Sequence, residues 1–455
     1  QDAKFTIVID DAYNGRPVGG ASRTYTLLKN NSDDVLNDSQ IVSLKGKNLM
    51  TSWERDTSYT SGIRLVQEDN AKDVMQDALK EVGFLNEASS KNTERLASAA
   101  PGSQGYELVK TMAKVIELGN DSSKKEDIEK ISVDLENKTA GTEVIANIAN
   151  GFSAGLLSRL DSIQPQTAAA AGDEDYKYRA WLNPFFSMSE QKTRVALTAY
   201  KDKSLRASIG IDTKITSDTV LGASFGIGNT EVKYKDIKSG DKTDVESYAF
   251  SIYGMKQISD YWTLSSLVTS AFNTINNDTK KVSGSGARES VEGKYKAMSF
   301  NGELLATYSQ DMGGVVMSPM GGLRYTKVNS SGYKETGSTN GQNLDISAKE
   351  YQNLEAIAGI KLYVSDIDVY GLPFTPDFYA SVNYDTLGKA QKQDVKLDGA
   401  GTLSSATYKP ARANYNVGVG VKAEYEFWEY GLGYDARFSD KRLAHQGNLK
   451  LRVNF

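Results

Sequence analysis

Residues 446–455 (QGNLKLRVNF) set Leu449, Leu451, Val453 and Phe455 on one face of an extended chain and Lys450, Arg452 and Asn454 on the other. Strand side chains alternate with period two, so one face of such a segment can meet lipid while the other meets water. A chain that ends this way on an aromatic residue reads as the last strand of a bacterial outer-membrane β-barrel. The mean hydropathy of -0.46 and the lack of any apolar run near the roughly 18 residues of a membrane-crossing helix exclude a helical membrane protein. A barrel is not excluded, because only every second residue of its strands faces lipid.

The same alternation recurs upstream from Tyr176. Among the clearest one-sided apolar sets are Leu205, Ala207, Ile209 and Ile211; Leu221, Ala223, Phe225 and Ile227; Tyr248, Phe250 and Ile252; and Tyr415, Val417, Val419 and Val421. Together these segments predict about twelve antiparallel strands, an even number as single-chain bacterial barrels require. Short turns are expected at 216–218, 259–260, 310–313, 365–371 and 426–427, and longer polar loops at 188–202, 233–242, 274–293, 327–346, 387–410 and 439–445. Short periplasmic turns opposite long outer loops are the usual asymmetry of such barrels, and an even strand count leaves both barrel ends in the periplasm. The 25 Tyr and 40 Gly residues suit interfacial girdles and curved strands.

Charge falls on the faces opposite the apolar ones: Arg206, Asp212, Glu303, Arg324, Glu355, Asp377, Lys422, Glu424, Glu429, Asp435, Arg437, Lys450 and Arg452. Their mixed signs predict a cross-strand ion network lining the lumen. A ring of about twelve strands is too wide to fill with its own side chains, and wide enough for an α-helix about 10–12 Å across. Residues 143–163 (EVIANIANGFSAGLLSRLDSI) supply that helix directly before the first strand. At about 1.5 Å per residue it spans about 30 Å, the apolar thickness of a membrane. Ala146, Ala149, Gly151, Ser153, Ala154 and Gly155 keep it slim. Residues 164–175 (QPQTAAAAGDED) read as a flexible hinge.

Upstream the character changes. Residues 1–68 are β-rich and read as the C-terminal part of a passenger, 69–140 as a helical junction, 141–175 as pore helix and hinge, and 176–455 as the barrel. Helical spacing is clearest over 71–82 and 105–118. No signal peptide opens the chain, so it reads as a fragment or processed form of something longer. Cysteine is absent and the net charge is -5 with no basic block, which argues against nucleic acid as a partner. With no Cys and a single histidine, no metal site and no cofactor are expected.

Strands, then a helix, a hinge and a terminal barrel resemble the autotransporter family of type V secretion. The barrel is most similar to the surface cell antigens and outer membrane protein B-like proteins of the Rickettsiales. The matching stretches include AAGDED (170–175), AWLNPFFS (180–187), IGIDTKITSDTVLGASFGI (209–227), KSGDKTDV (238–245), SPMGGLRY (318–325), YGLGYDARFS (430–439) and AHQGNLKLRVNF (444–455). The resemblance implies an outer-membrane translocator and anchor, a monomeric barrel in lipid that exports and displays its own passenger, an adhesin or invasin directed at the host-cell surface. It implies periplasmic chaperones and the barrel-assembly machinery as partners, the latter reading Leu449, Leu451, Val453 and Phe455 as an assembly signal. Because some autotransporters release their passengers by asparagine cyclisation in the lumen, Asn147 and Asn150 are candidates for self-cleavage.

Other readings are weaker. His445, at the expected outer rim with Asp435 or Asp440 nearby, offers a catalytic dyad at most. Gly222, Gly226 and Gly228 are spaced like a phosphate loop but sit inside a strand with no helix after it, so nucleotide binding is rejected. A free-standing porin or barrel enzyme is the alternative function. The first 140 residues and the helix before the barrel argue against it.

Overall fold

The computed structural model describes residues 5–8, 22–29, 41–45, 50–59, 62–118, 121–138, 140–163, 178–194, 196–364, 367–370 and 372–455. The hinge expected at 164–175 and Tyr176 lie outside them. Twelve long antiparallel strands close into a ring: β1 Tyr178–Gln191, β2 Tyr200–Thr216, β3 Thr219–Tyr234, β4 Lys242–Gln257, β5 Trp262–Val282, β6 Arg288–Tyr308, β7 Val315–Ser330, β8 Lys349–Val364, β9 Leu372–Asp385, β10 Ala413–Tyr425, β11 Trp428–Ser439 and β12 Arg442–Asn454. Each pairs with its neighbours in sequence, and β12 returns to β1 with Arg442 opposite Gln191 and Asn454 opposite Arg179. Beyond that last pair, Tyr178 and Phe455 exchange both backbone hydrogen bonds at 3.1 and 3.0 Å, and their rings stack with centroids 6.4 Å apart. The seam is thus tied to its final residue, leaving no strand edge in lipid.

Side-chain alternation follows the expected register. Leu205 is 67% exposed and Leu432 60%, whereas Arg206 is 5% and Glu429 2%. The two faces of each strand therefore look out to lipid and in to a packed interior. Turns at the end holding Tyr178 and Phe455 are short, with two residues between β2 and β3 and two between β10 and β11.

Two expected outer loops are corrected. Most of 274–293 is strand: β5 and β6 are 21 residues each and pair from Trp262–Tyr308 out to Val282–Arg288. About 9–11 residues cross a membrane, so the outer half of this hairpin stands in water. There its Asn, Thr and Lys no longer show an apolar face, and the sequence pattern mimics a loop. Likewise 439–445 reduces to a two-residue turn, Asp440 and Lys441, with Arg442 to His445 already in β12.

Ahead of the barrel, Ser22–Lys29, Gly62–Asp69 and Thr51–Arg55 form a three-stranded antiparallel sheet. Four helices follow: α1 Ala71–Glu81, α2 Glu87–Ala97, α3 Gln104–Leu118 and α4 Asp121–Leu135. Asn86 starts α2 with a reciprocal cap, its side chain accepting from Ser89 N at 3.0 Å while Ser89 Oγ accepts from Asn86 N at 2.8 Å. The apolar stripes of these helices do not make a core of their own. Met75, Leu79, Leu96, Leu108, Met112, Ile128 and Ile131 pack in one cluster with Val282 at the outer end of β5 and with Leu344, Ile346, Val395, Leu397 and Leu403 of the barrel's long loops. Two of those loops contribute the short strands Tyr333–Lys334, Asp345–Ile346, Val395–Leu397 and Gly401–Leu403, which join in a four-stranded sheet beneath the helices. The loop mouth is therefore roofed by α1–α4. From this roof α5, Gly141–Ile163, enters the ring.

The wall register generates a test. Arg at the lipid-facing positions Val419 or Leu432 should cost about 2–4 kcal/mol near the membrane midplane and reduce heat-modifiable folded barrel. Arg at luminal Lys450, which already carries a positive charge beside the wider lumen cavity, should be accepted.

Candidate functional site

The candidate site is the lumen with α5 inside it. At the loop end Val144, Ile145, Ala146 and Ile148 pack against Tyr200, Val232, Val245 and Ile275; nearer the far end Leu156 and Leu160 pack against Trp181, Tyr253 and Leu267. Between these apolar contacts the helix is held by polar ones at separate heights. Asn150 Oδ1 accepts from Asn301 Nδ2 at 2.6 Å and from Thr326 Oγ1 at 3.1 Å, and Ser153 Oγ donates to Asn301 Oδ1 at 3.0 Å. Two turns on, Arg159 grips Asp212 through Nε and Nη2, both at 2.9 Å. Asp212 also accepts from Tyr253 Oη at 3.0 Å, which in turn accepts from Trp181 Nε1 at 2.6 Å. A buried pair of this kind is costly to break from one side, about 3–5 kcal/mol.

The small residues have specific neighbours. A Cβ at Gly151 would sit 1.8 Å from Arg206 Nη1, so the guanidinium lies directly against the helix backbone. In a free helix this Gly costs roughly 1 kcal/mol relative to Ala; here the close approach outweighs propensity. Phe152 fills the space above Gly226 and Gly228, where an added Cβ would come within 2.7 and 3.3 Å of its ring, and meets Phe185 edge-on at 5.9 Å. Tyr253 uses the room at Gly222 in the same way, 2.4 Å from where a Cβ would stand. The glycine spacing in β3 is a set of seats for aromatic rings. Ala146 and Ala149 are buried; Ala154 and Gly155 line a cavity of about 190 Å³ between α5 and β6–β12.

The luminal charges form separate networks. Arg324 donates to Glu303 from Nε at 2.7 Å and to Glu355 from Nη1 at 3.1 Å. Arg452 pairs with Glu429 at 2.7 Å and lies 3.8 Å from Glu424 near the terminal end. Asp377 lines the large cavity, as do Asp435 and Arg437. Arg206 and Arg437 bond neutral side chains, Ser204 at 3.0 Å and Asn416 at 2.7 Å. Leu449, Leu451 and Val453 point outward from β12, with Phe455 exposed at its end. His445 is not placed for a dyad: its Nδ1 is 2.6 Å from Tyr434 Oη on the outer face, Asp435 faces the lumen, and Asp440 pairs with Arg194 at 3.5 Å. Sequence reasoning passed over Asn301, Thr326, Arg159 and the partner role of Asp212; polar residues at inward positions of β6 and β7 were the available signal.

Residues 180–435 match the Autotransporter beta-domain family. The chain belongs to the autotransporter family. Outer membrane protein A of Rickettsia conorii is 31% identical over 419 residues, covering 88% of this chain and 20% of the relative. Outer membrane protein B of the same organism is 32% identical over 347 residues, 70% of this chain and 21% of the relative. The chain thus spans about a fifth of the length of the curated relatives it matches. The translocator domain of the autotransporter NalP from Neisseria meningitidis shares the fold, with a TM-score of 0.53 and 17% identity over 68% of this chain and 97% of that one. As an autotransporter barrel, the ring sits in the bacterial outer membrane and its loop mouth faces the cell surface.

That orientation makes the roofed mouth a second part of the site, lying in water outside the membrane. Where α4 meets the loops, Lys130 Nζ contacts Asp134 at 2.7 Å and Asp241 at 3.3 Å, and Lys238 Nζ contacts the same two at 2.9 and 3.4 Å. Lys281 pairs with Glu335 at 3.1 Å beside them, and all of these side chains are buried. Burial pushes the Asp134 carboxyl up, but Lys130, Lys238 and Lys281 outweigh it and hold the group well below the ordinary carboxylate range. Burial lowers Lys238 while Asp134 and Asp241 more than restore it, leaving it raised. Lys130 is lowered by burial despite Asp134. The attraction is therefore expressed in Asp134 and Lys238, and Lys130 bears the desolvation.

Because folding depresses Asp134, its contribution to docking is complete above about pH 4, the ordinary Asp value, and drains away as pH falls further. The roof should resist protease at pH 5 to 7. Below about pH 4 it should become cleavable within 121–138 while the barrel keeps its heat-modifiable migration. Asp134→Asn, which leaves the lysines short of a partner, should weaken docking at neutral pH by about 3–5 kcal/mol.

Proposed function

We propose that residues 176–455 export and then anchor the chain's own N-terminal part, with 141–163 the segment left in the lumen and 69–140 the junction that closes the mouth. On this reading 1–68 is the end of a surface-displayed passenger. The observation that carries the proposal is α5 itself: a helix spanning the ring, tied at Asn150, Ser153 and Arg159 to strands on its wall. A channel for small solutes would gain nothing from such an obstruction. A chain that has passed through and stopped would end in this arrangement.

The experiment is conductance of the refolded chain in planar bilayers. The intact protein should give at most small, flickering currents, and deletion of 141–163 should yield a large steady conductance. A large steady current from the intact chain, unaltered by the deletion, would assign a porin instead.

The terminal strand supports a second element of the proposal, recognition of Leu449, Leu451, Val453 and Phe455 by the assembly machinery through strand addition. Deleting Phe455 removes two backbone bonds and one stack at the rim, a small part of a twelve-strand ring. Insertion in cells should fall sharply while chains refolded in detergent lose little thermal stability. Normal surface protease access for the truncated chain would remove the signalling role.

For the passenger we propose display toward host cells as an adhesin or invasin. Attachment of bacteria carrying the full-length protein to cultured cells, equal with and without the passenger, would end that assignment. Asparagine self-cleavage is better supported at Asn147 than at Asn150. Asn150 is pinned through Oδ1, whereas the buried Asn147 Nδ2 has no hydrogen-bond partner and borders a cavity shared with Asp202. A mature barrel chain beginning at residue 148 would be its mark; uncut outer-membrane protein would exclude it.

A further inference from the structure

A second cavity, of about 90 Å³, lies beside the loop half of α5 and is bordered by Arg206, Arg437, Arg442, Asp202 and Asp435. That is room for several waters or one small polyatomic ion. Three other luminal arginines are matched to carboxylates: Arg159 with Asp212, Arg324 with Glu303 and Glu355, Arg452 with Glu429. Here the matching lapses. Arg206 is 5% exposed, donates from Nη2 to the neutral Ser204, and its buried Nε has no hydrogen-bond partner. Arg442 donates from Nη2 to Ser189 at 3.1 Å, reaches Asp202 only at 4.0 Å, and its Nε is likewise buried without a partner. Arg437 spends its Nε on Asn416 at 2.7 Å.

The acids are engaged as well. Asp202 accepts a short hydrogen bond from Ser189, and Asp435 accepts from Asn448 at 3.4 Å. Three guanidinium groups thus face one cavity with two carboxylates. The fixed geometry of Arg206 comes from the Gly151 backbone beneath it and the rings of Phe152 and Phe185 at 5.8 and 5.4 Å. A guanidinium held this way, with a donor left over, is suited to an oxyanion, which accepts two charge-assisted hydrogen bonds at once. A buried cationic donor left without an acceptor is costly.

We propose that this cavity is a binding site for a small oxyanion, held between Arg206, Arg437 and Arg442 against the pore helix. Inorganic phosphate and a carboxylate share the required chemistry. The ion would be the missing counter-charge that lets α5 rest against an arginine-rich stretch of wall. This holds whatever the passenger does.

The test is titration of the full chain, refolded in detergent, with inorganic phosphate and separately with acetate, at constant ionic strength kept with chloride, reading heat of binding and the thermal midpoint. Saturable binding of one of the two is expected, with a raised midpoint, and the arm that responds identifies the source of the oxyanion. Arg206→Gln and Arg442→Gln should each weaken it about ten-fold or more, the worth of one charge-assisted hydrogen bond. Lys256→Gln removes one positive charge from the exposed side of β4 and should leave it unchanged. Absence of saturable binding to the unaltered chain overturns the proposal, whether or not the variants fold. Binding that all three variants retain, or that all three lose equally, overturns it too, because the ion would then be bound elsewhere or by net charge.

Discussion

Hydrocarbon offers no hydrogen-bond partner, so every backbone N–H and C=O of a spanning segment must be satisfied by the chain itself. For strands the solution is a closed ring, and here closure runs to the last residue, where Phe455 and Tyr178 bond in both directions. Much else follows from that requirement. Twelve strands enclose more volume than inward side chains can fill, and the surplus is taken by α5. Since the wall's inner face is a mixture of polar and apolar side chains, the helix is held by a mixture of apolar seats and buried hydrogen bonds rather than by a purely greasy core.

This mixture explains why so many of the lumen's determinants are small residues. Gly151, Gly222, Gly226 and Gly228 each give up a side chain so that a larger neighbour can lie close, Arg206 at Gly151 and, with Phe152, at Gly228, Tyr253 at Gly222 and Phe152 at Gly226. The cost in helix and strand propensity is modest beside the ring contacts and charge placement gained. Burial of ionic groups is tolerated because most are answered, as in the Glu303, Arg324 and Glu355 triad.

What could be read from the chain divides along the same lines. Period-two alternation disclosed the strands and their outward faces because lipid enforces it; Leu205 and Leu432 are among the most exposed apolar side chains. Where lipid ends, so does the enforcement, and the outer half of the β5–β6 hairpin passed for a loop. The pore helix was visible as a slim segment of membrane length, but its partners were not, since Asn301, Thr326 and Asp212 are separated from it by 53 to 176 positions. The roof over the mouth was illegible for a similar reason. Leu344, Ile346, Val395 and Leu397 occur in short apolar pairs within polar stretches, and nothing local tells that they meet helices from the far end of the chain.

Those loop residues carry a consequence for the order of events. A barrel that has inserted but not yet received α1–α4 on the outside presents Val282, Leu344, Ile346, Val395, Leu397 and Leu403 uncovered at the cell surface. Such a rim is adhesive to any apolar segment emerging beside it. On the proposed export route, the first suitable stretch to arrive is α1–α4, which would come through the pore that the rim surrounds. On that route the unfinished mouth would act as a template whose stickiness completion quenches, and a barrel stalled midway should differ from a finished one chiefly in how its outer lip behaves toward water.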